Sequence, residues 1–544
     1  MLADLLFSSS FHKRVTACFA GVALVFIFAP LLIQGTPVPY WFHDSFFNTL
    51  KIVENFRLKG FPTFDGVTPT NDFSPFWALV LYGLSAVVPV SSNAFFILVR
   101  FVLTIGFFLS LWLFNRLVDA LGYQSEKEVR FLSSAFLMVL FFYSAHTGAD
   151  AVWAIPVILI NALCLLKALN NPSVFSGFVC GLSVSLCVLF RFDSIVFFLT
   201  ALLVFYFQFN LKEPVTTKQA LKILLGLIIG LIPLMAYADM EQTKFGSPVP
   251  AELLSWGKSQ DTAPWRLMWI LFFEPLRYLF RMPEGLILLL FPTLLLLLVA
   301  YVSFPWNEEK QTPKDTVFYA LIWYPLVYLF GLAFLTFLTL PKYAFYPFAI
   351  GVPFALIFAA SRIHSKIREE KKDFEIAQAL RAWVVLGGLL IFLSVLQAIQ
   401  ISSEVYIPVV QTISEFTEQH PGRYAMGKGA GIISFLTKKD FVRLDGKAED
   451  TEFLKFLDQQ TALQEVLKNY HADYYISVDP ERNDNCYSVR EPFPNRFGGT
   501  NKGMADWLCM NPVFEKRTTP LRRMHPAYTI AIFKLNAAQT DNPL

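Results

Sequence analysis

The chain has 544 residues, is 55% hydrophobic, holds 57 Phe and is only 16% charged, against roughly 25% charged in soluble domains, so a single water-soluble globule is excluded. A net charge of +3, with no basic face that would track phosphates, gives no nucleic-acid partner. The apolar bias runs to about residue 400 and ends there; the remainder has the composition of an ordinary soluble domain.

In chain order, Lys13 and Arg14 precede the first apolar run, Val15 to Ile33, which is too long for a signal h-region and lacks a clean small-x-small exit. It reads as a retained first span with a cytoplasmic N-terminus. Long apolar runs follow at 94–115, 131–146, 151–169, 174–190, 194–210, 221–238, 284–304, 316–340, 343–361 and 382–401, eleven in all with the first. Roughly 20 apolar residues cross a bilayer as a helix, because no backbone polar group can stay unpaired in lipid. A shorter run, 75–90, lies between Pro75 and Pro89.

Charge settles how to treat that short run. If it stays on one side, the loops after spans two, four, six, eight and ten are cytoplasmic. Apart from a short Asn170-Asn171 link, they carry Arg116, Lys127 and Arg130; Lys212, Lys218 and Lys222; Lys310 and Lys314; and Arg362, Lys366, Arg368, Lys371, Lys372 and Arg381. That obeys the positive-inside rule. If run 75–90 crosses, the most basic loop flips outside, so we read the run as juxtamembrane or re-entrant. The expected architecture is a polytopic α-helical membrane domain over 1–402, with a first outer loop at 35–93 and an outer loop at 239–283. A C-terminal soluble α/β domain at 403–544 lies outside, which in a Gram-negative cell is the periplasm. The loop 239–283 sets Trp256, Trp265 and Trp269 among charges, as an interfacial helix does.

This topology puts the polar clusters on one face. They are His43-Asp44-Ser45, His146-Thr147-Gly148-Ala149-Asp150, Arg191-Phe192-Asp193, Lys244 to Pro250, and Pro341-Lys342-Tyr343. Ionisable groups gathered at span ends suggest a site there. Asp44 is placed to act as a general base, or to cap the helix that follows. Asp150 offers a second carboxylate, or another cap. Together with His43 and His146 these acids leave a divalent cation open, though no spacing demands one. Arg191 could hold a phosphate or pair with Asp193. Lys244, Lys258 and Lys342 could do the same, or snorkel to the headgroups.

Of six cysteines, Cys18, Cys164, Cys180 and Cys187 lie in apolar runs and read as small core residues. Cys486 and Cys509 are the two in the tail; in an oxidising compartment they could pair, and otherwise they are free thiols. Gly427-Lys428-Gly429-Ala430-Gly431 fits neither GxGxxG nor GxxxxGK[ST] and reads as a tight strand-to-helix turn. Further strands are expected at Phe441–Leu444, Tyr474–Val478 and Thr529–Leu535, with helices near 451–470.

Taken together and in order, the clusters resemble the GT-C superfamily of polytopic glycosyltransferases, in the branch that holds the mycobacterial terminal arabinofuranosyltransferases. His43-Asp44-Ser45-Phe46 resembles the acidic motif opening that family's first outer loop, and Asn71-Asp72-Phe73-Ser74-Pro75-Phe76-Trp77 its Tyr-Thr-Asn/Ser-Pro-Leu-Trp element. Gly148-Ala149-Asp150 resembles Gly-Met-Glu, and Arg191-Phe192-Asp193 resembles Arg-Pro-Asp. Lys244 to Pro250 with Lys258, then Lys342-Tyr343 with Pro347, follow the later elements. Gly429-Ala430-Gly431 ahead of Asp445-Gly446 is similar to the family's tail. Three departures stand out. His43 takes the place of the first of a paired acid, Asp150 is shorter than Glu, and Lys342 replaces Arg, keeping charge but losing a bidentate fork.

The resemblance implies an inverting glycosyltransferase that takes a sugar from a polyprenyl-phosphate donor to a cell-envelope glycan or glycolipid, such as lipopolysaccharide, at the bacterial inner membrane. Asp44 would be the catalytic base. Arg191, Lys244, Lys258 and Lys342 would form the pool that meets the leaving phosphate, with His43 and Tyr343 beside them. Asp150 would position the acceptor or, with Asp44, an ion. The rival readings are a lipid-linked glycan transporter or flippase and a non-catalytic envelope-assembly protein. Transporters place ionisable groups near mid-bilayer on broken helices, whereas these spans are nearly charge-free at their centres.

Overall fold

The computed structural model describes residues 10–33, 35–71, 73–122, 127–148, 150–212, 216–248, 298–299, 312–336, 346–369, 373–401, 403–445, 451–483, 486–492, 503–519 and 527–535. The run at 284–304 lies almost wholly outside them, as do Trp256, Trp265 and Trp269.

The first helix, α1 (Ser10–Leu32), leads into the segment expected from the sequence to be the first outer loop, which folds as α2 (Asp44–Lys59) and α3 (Pro75–Val87). The helices α4 (Asn93–Leu121), α5 (Lys127–Ala145), α6 (Ala151–Asn170), α7 (Val174–Phe190) and α8 (Ile195–Lys212) follow. Then come α9 (Thr217–Gly230), α10 (Ile232–Phe245), α11 (Pro313–Thr336), α12 (Tyr346–Glu369) and α13 (Asp373–Ala398). Among the described residues, five helices are long and apolar enough to cross a membrane: Val15–Leu32, Asn93–Leu121, Lys127–Ala145, Val152–Asn170 and Ala377–Leu396. The pair α9–α10, bent by 42°, would make a sixth. The sequence reads 221–238 as one run. Pro233 at the start of α10 supplies no N–H to the turn before it, and the helix breaks at Leu231. Helix α3, at 13 residues and about 1.5 Å per residue, is shorter than a hydrocarbon core about 30 Å thick.

Two features hold the bundle. Helices α7 and α9 meet through Gly177, Gly181, Gly226 and Gly230. A Cβ on Gly226 would lie 2.0 Å from Val174 O, and one on Gly181 would lie 2.3 Å from Leu227 O. Small residues at this spacing let backbones touch in a membrane, where apolar burial alone does not join helices. The second feature is Arg100, which is fully buried. Pro30 has no N–H for Phe26 O, four residues earlier, and the Arg100 guanidinium donates to that carbonyl instead. It lies over the rings of Phe26, Trp41 and Phe42 at 4.5, 5.2 and 5.5 Å. Cys180 and Cys187 are buried as expected; Cys18 is exposed on α1.

After α13 come α14 (Ile407–Gln419), β1 (Tyr424–Met426), α15 (Ala430–Thr437), β2 (Phe441–Arg443), α16 (Thr451–Gln459), α17 (Leu463–Asn469), β3 (Tyr474–Val478), β4 (Glu481–Asn483), β5 (Cys486–Glu491), β6 (Met504–Leu508), β7 (Phe514–Arg517) and β8 (Thr529–Lys534). One sheet has the order β2-β1-β3-β8-β7, with β1 parallel to both β2 and β3. The chain leaves β1 for one neighbour and later returns to the other, so the carboxyl end of β1 is a topological switch point, the usual location of a site in such sheets. A second sheet, β4-β5-β6, is antiparallel, and Cys486 is disulfide-bonded to Cys509 beside it.

The first outer loop and this C-terminal segment pack together. Lys59 pairs with Asp440 at 2.9 Å, and Lys51 does so at 3.1 Å. Buried Asp65 is held by Val67 N–H, Thr68 N–H and Arg423. Ser403 closes the junction, its hydroxyl donating to Phe42 O at 2.6 Å and its N–H to Tyr40 O at 2.9 Å.

Candidate active site

Asp44 is the first residue of α2, and the N-cap is His43, whose Nδ1 accepts from Ser45 N–H at 3.3 Å. The carboxylate of Asp44 therefore does not cap its own helix. Its Oδ1 accepts the Ile432 N–H at 2.8 Å, at the start of α15. Tyr406 lies close by. Burial first, and then the charges of Asp44, Tyr528 and Asp445, push its phenol up. Asp445 is itself paired with Arg443 at 2.9 Å.

The second outer loop reaches this point through its backbone. His43 N–H donates to Thr147 O at 3.1 Å. Gly148, with φ of +73°, leaves room for two rings; a Cβ there would come within 2.4 Å of Phe42. His146 is buried under the same turn.

Asp150, Arg191 and Asp193 form a second node. Arg191 Nη1 meets Asp150 Oδ1 at 2.9 Å and its Nε meets Asp193 Oδ1 at 2.9 Å. Ser74 donates to the other oxygen of Asp150 and to Phe190 O. Asp150 stands at the start of α6 but makes no side-chain cap. Asp193 accepts from Tyr328 OH at 2.6 Å and Tyr346 OH at 3.1 Å. The Arg191 guanidinium is thus engaged by two carboxylates. The node's arrangement joins the starts of α3, α6 and α12 and the α7–α8 turn to Tyr328, about two turns inside the end of α11.

Asn71, which opens the Asn71–Trp77 element, has a buried partner that the sequence did not single out, Glu241. Asn71 Nδ2 donates to Glu241 Oε2 at 2.8 Å, and both side chains are buried. The one hint was an acid inside the end of an apolar stretch. Lys244, one turn on, is exposed. Lys258, Lys342 and Tyr343 lie outside the described residues. Asp44 and Asp150 are each held by separate partners, and among the described residues no three His, Cys, Asp or Glu side chains are grouped to hold a metal.

No family model and no curated protein matches this chain. Solved structures do. The archaeal oligosaccharyltransferase AglB from Archaeoglobus fulgidus, in complex with an inhibitory peptide and a dolichol-phosphate, is similar with TM-score 0.53 and 12% identity, over 86% of this chain and 70% of its own. ArnT from Cupriavidus metallidurans, bound to undecaprenyl phosphate, gives TM-score 0.52 and 11% identity, over 85% of this chain and 92% of its own. The chain shares their fold. At such low identity the likeness speaks to the fold alone, and nothing in it singles out the arabinofuranosyltransferase branch.

Proposed function

We propose that this chain is an inverting glycosyltransferase. It moves a sugar from a polyprenyl-phosphate donor to a glycan or glycolipid of the cell envelope, at the outer face of the bacterial inner membrane. The observation that carries the proposal is the place of Asp44. In a fold shared with two proteins that hold polyprenyl phosphates, it is a half-buried carboxylate where the first outer loop meets the C-terminal segment.

In the proposed reaction the acceptor hydroxyl attacks the anomeric carbon from the face opposite the phosphate. Its proton passes to Asp44. The new carbon–oxygen bond forms as the bond to the phosphate oxygen breaks, and the electron pair leaves with the lipid phosphate. A cation beside that oxygen lowers the barrier. Arg191 is engaged by Asp150 and Asp193, so we assign it to holding those acids in place. Lys244, with Lys258 and Lys342, is left for the phosphate. Asp150, with Ser74 and Arg191, shapes the outer end of the acceptor or donor site.

The test is Asp44→Asn. Asn keeps the shape and the acceptor oxygen but cannot take a proton. We expect the variant to accumulate in the membrane as wild type does, with the surface glycan losing the same sugar that is lost on deletion of the gene. Wild-type surface glycan in Asp44→Asn would overturn the transferase reading.

A further inference from the structure

Helix α15 begins without a cap of its own. Its N-cap is Gly429, in the left-handed region at φ 83°, which has no side chain to offer. Helix starts leave backbone N–H groups unpaired, and Ser, Thr, Asp or Asn at the N-cap normally accepts one from the second or third helical residue. Here that third residue is Ile432, and the acceptor is Asp44, 388 residues earlier in the chain.

The glycines explain how the two segments approach. A Cβ on Gly431 would lie 2.2 Å from Asn48 Oδ1, 2.8 Å from Asp44 O and 3.0 Å from Asp44 Oδ1. A Cβ on Gly429 would meet the Tyr406 ring at 2.6 Å, and one on Gly427 would meet Glu491 Oε2 at 2.0 Å. Each alternate glycine thus makes room for a polar side chain from a different segment. The loop also lies at the carboxyl end of β1, the switch point of the sheet.

We infer that the Gly427–Gly431 turn and the first turn of α15 position Asp44, through the Ile432 N–H, for its role in transfer. The inference rests on the transferase reading. It makes the C-terminal segment part of the site. The donated bond fixes one carboxylate oxygen in place. Ile432 is a positioning group and touches no substrate.

The experiment uses the full chain and three variants, Asp44→Asn, Asp44→Ala and Gly431→Ala. Asn serves about as well as Asp as a cap acceptor, so Asp44→Asn keeps the contact and loses the base. Asp44→Ala loses both. Gly431→Ala leaves Asp44 intact and drives the turn away from it. Hydrogen–deuterium exchange over residues 430–437 reports the contact, and the surface sugar reports transfer. Intact Cys486–Cys509 and normal accumulation report folding. We expect faster exchange in Asp44→Ala and Gly431→Ala and wild-type exchange in Asp44→Asn. Transfer is expected to be lost in all three, by about 10²-fold in Gly431→Ala, as for an ångström-scale misplacement. Wild-type exchange in Asp44→Ala or in Gly431→Ala would overturn the contact. Faster exchange with full transfer in Gly431→Ala would overturn the positioning role while the transferase reading stands. Full transfer in Asp44→Asn would remove the transferase reading itself.

Discussion

Glu491 ends strand β5 as a buried carboxyl, accepting from Tyr475 OH at 3.0 Å, with no partner for its second oxygen among the described residues. Burial pushes it up to about 8 from an ordinary 4.5; the Tyr475 bond pulls it back and the Asp445 charge adds to the rise. The unfolded chain releases this proton first as pH increases. The stability is therefore fully present below about 4.5, falls as pH rises, and levels off above about 8. Glu491→Gln keeps an acceptor for Tyr475 and does not titrate. Thermal unfolding of the full chain from pH 5 to 8.5 should show a decline in wild type and a flatter curve in the variant; parallel curves would contradict this account. Glu491 carries no sequence signal, because its burial depends on a sheet whose strands are brought together only in the fold. Asp44, Asp150 and Arg191 are legible, as ionisable groups at the ends of apolar runs. Their partners are not. Ile432, Ser74 and Tyr328 are 388, 76 and 135 residues from the acids they bind, and no local pattern spans such distances. Asp44 does cap a helix, but that helix is α15 and not the one it opens.

At the scale of elements, the α7–α9 contact is set by glycine. In Gly226→Leu the Cβ alone would lie 2.0 Å from Val174 O and 2.6 Å from Phe178 N. Backbone cannot yield as a side-chain tip can, so the helices must separate. Overpacking of this kind costs about 1–3 kcal/mol. A denaturant titration in detergent should place Gly226→Leu below wild type. Gly388→Leu, on α13 with open space around its Cα, should stay close to wild type. Equal midpoints for the two variants would show that the glycines are incidental. Most membrane helices are legible because apolar length is a local property. Their ends run past the apolar stretches: α4 continues to Leu121 and α13 starts at Asp373. Polar residues at the interface can finish a helix as well as apolar ones. The break at Leu231 is signalled by Pro233, but hydropathy alone runs straight across it. The alternation in the GxGxG turn looks like tight chain reversal, and its cause lies in three side chains from elsewhere.

For the whole molecule, the docking of the first outer loop on the C-terminal segment is electrostatic at its rim. Although burial pushes Asp440 up, the Lys59 hydrogen bond and the Lys51 charge hold it below the usual carboxylate range. A depressed folded value means that this contribution is present above the ordinary 3.8 and is lost as pH falls through the folded value. Asp440→Asn should loosen the docking at neutral pH as acid does in wild type. Exchange over residues 51–59 should rise in the variant at pH 7 and show little further change on acidification. If exchange there is the same in both proteins at pH 7, the ion pairs add nothing to docking, as exposed pairs often do not. The division into an apolar part and a C-terminal soluble part is visible in composition. That the two share one junction is not, since composition carries no record of contact.

The bond between Asp44 and Ile432 also sets an order of events in biosynthesis. The first outer loop leaves the ribosome long before residue 432 exists, so for most of translation the carboxylate has no partner and α2 no surface to rest on. The junction can close only after the intervening helices have been made and the last segment has folded. A chain cut short in the middle would carry the carboxylate, the Asp150–Arg191 node and the first half of the bundle. It would still lack the helix start against which Asp44 is set. With Asp44 as the base, activity appears only once Ile432 and the first turn of α15 have been made and docked, and shorter fragments are silent.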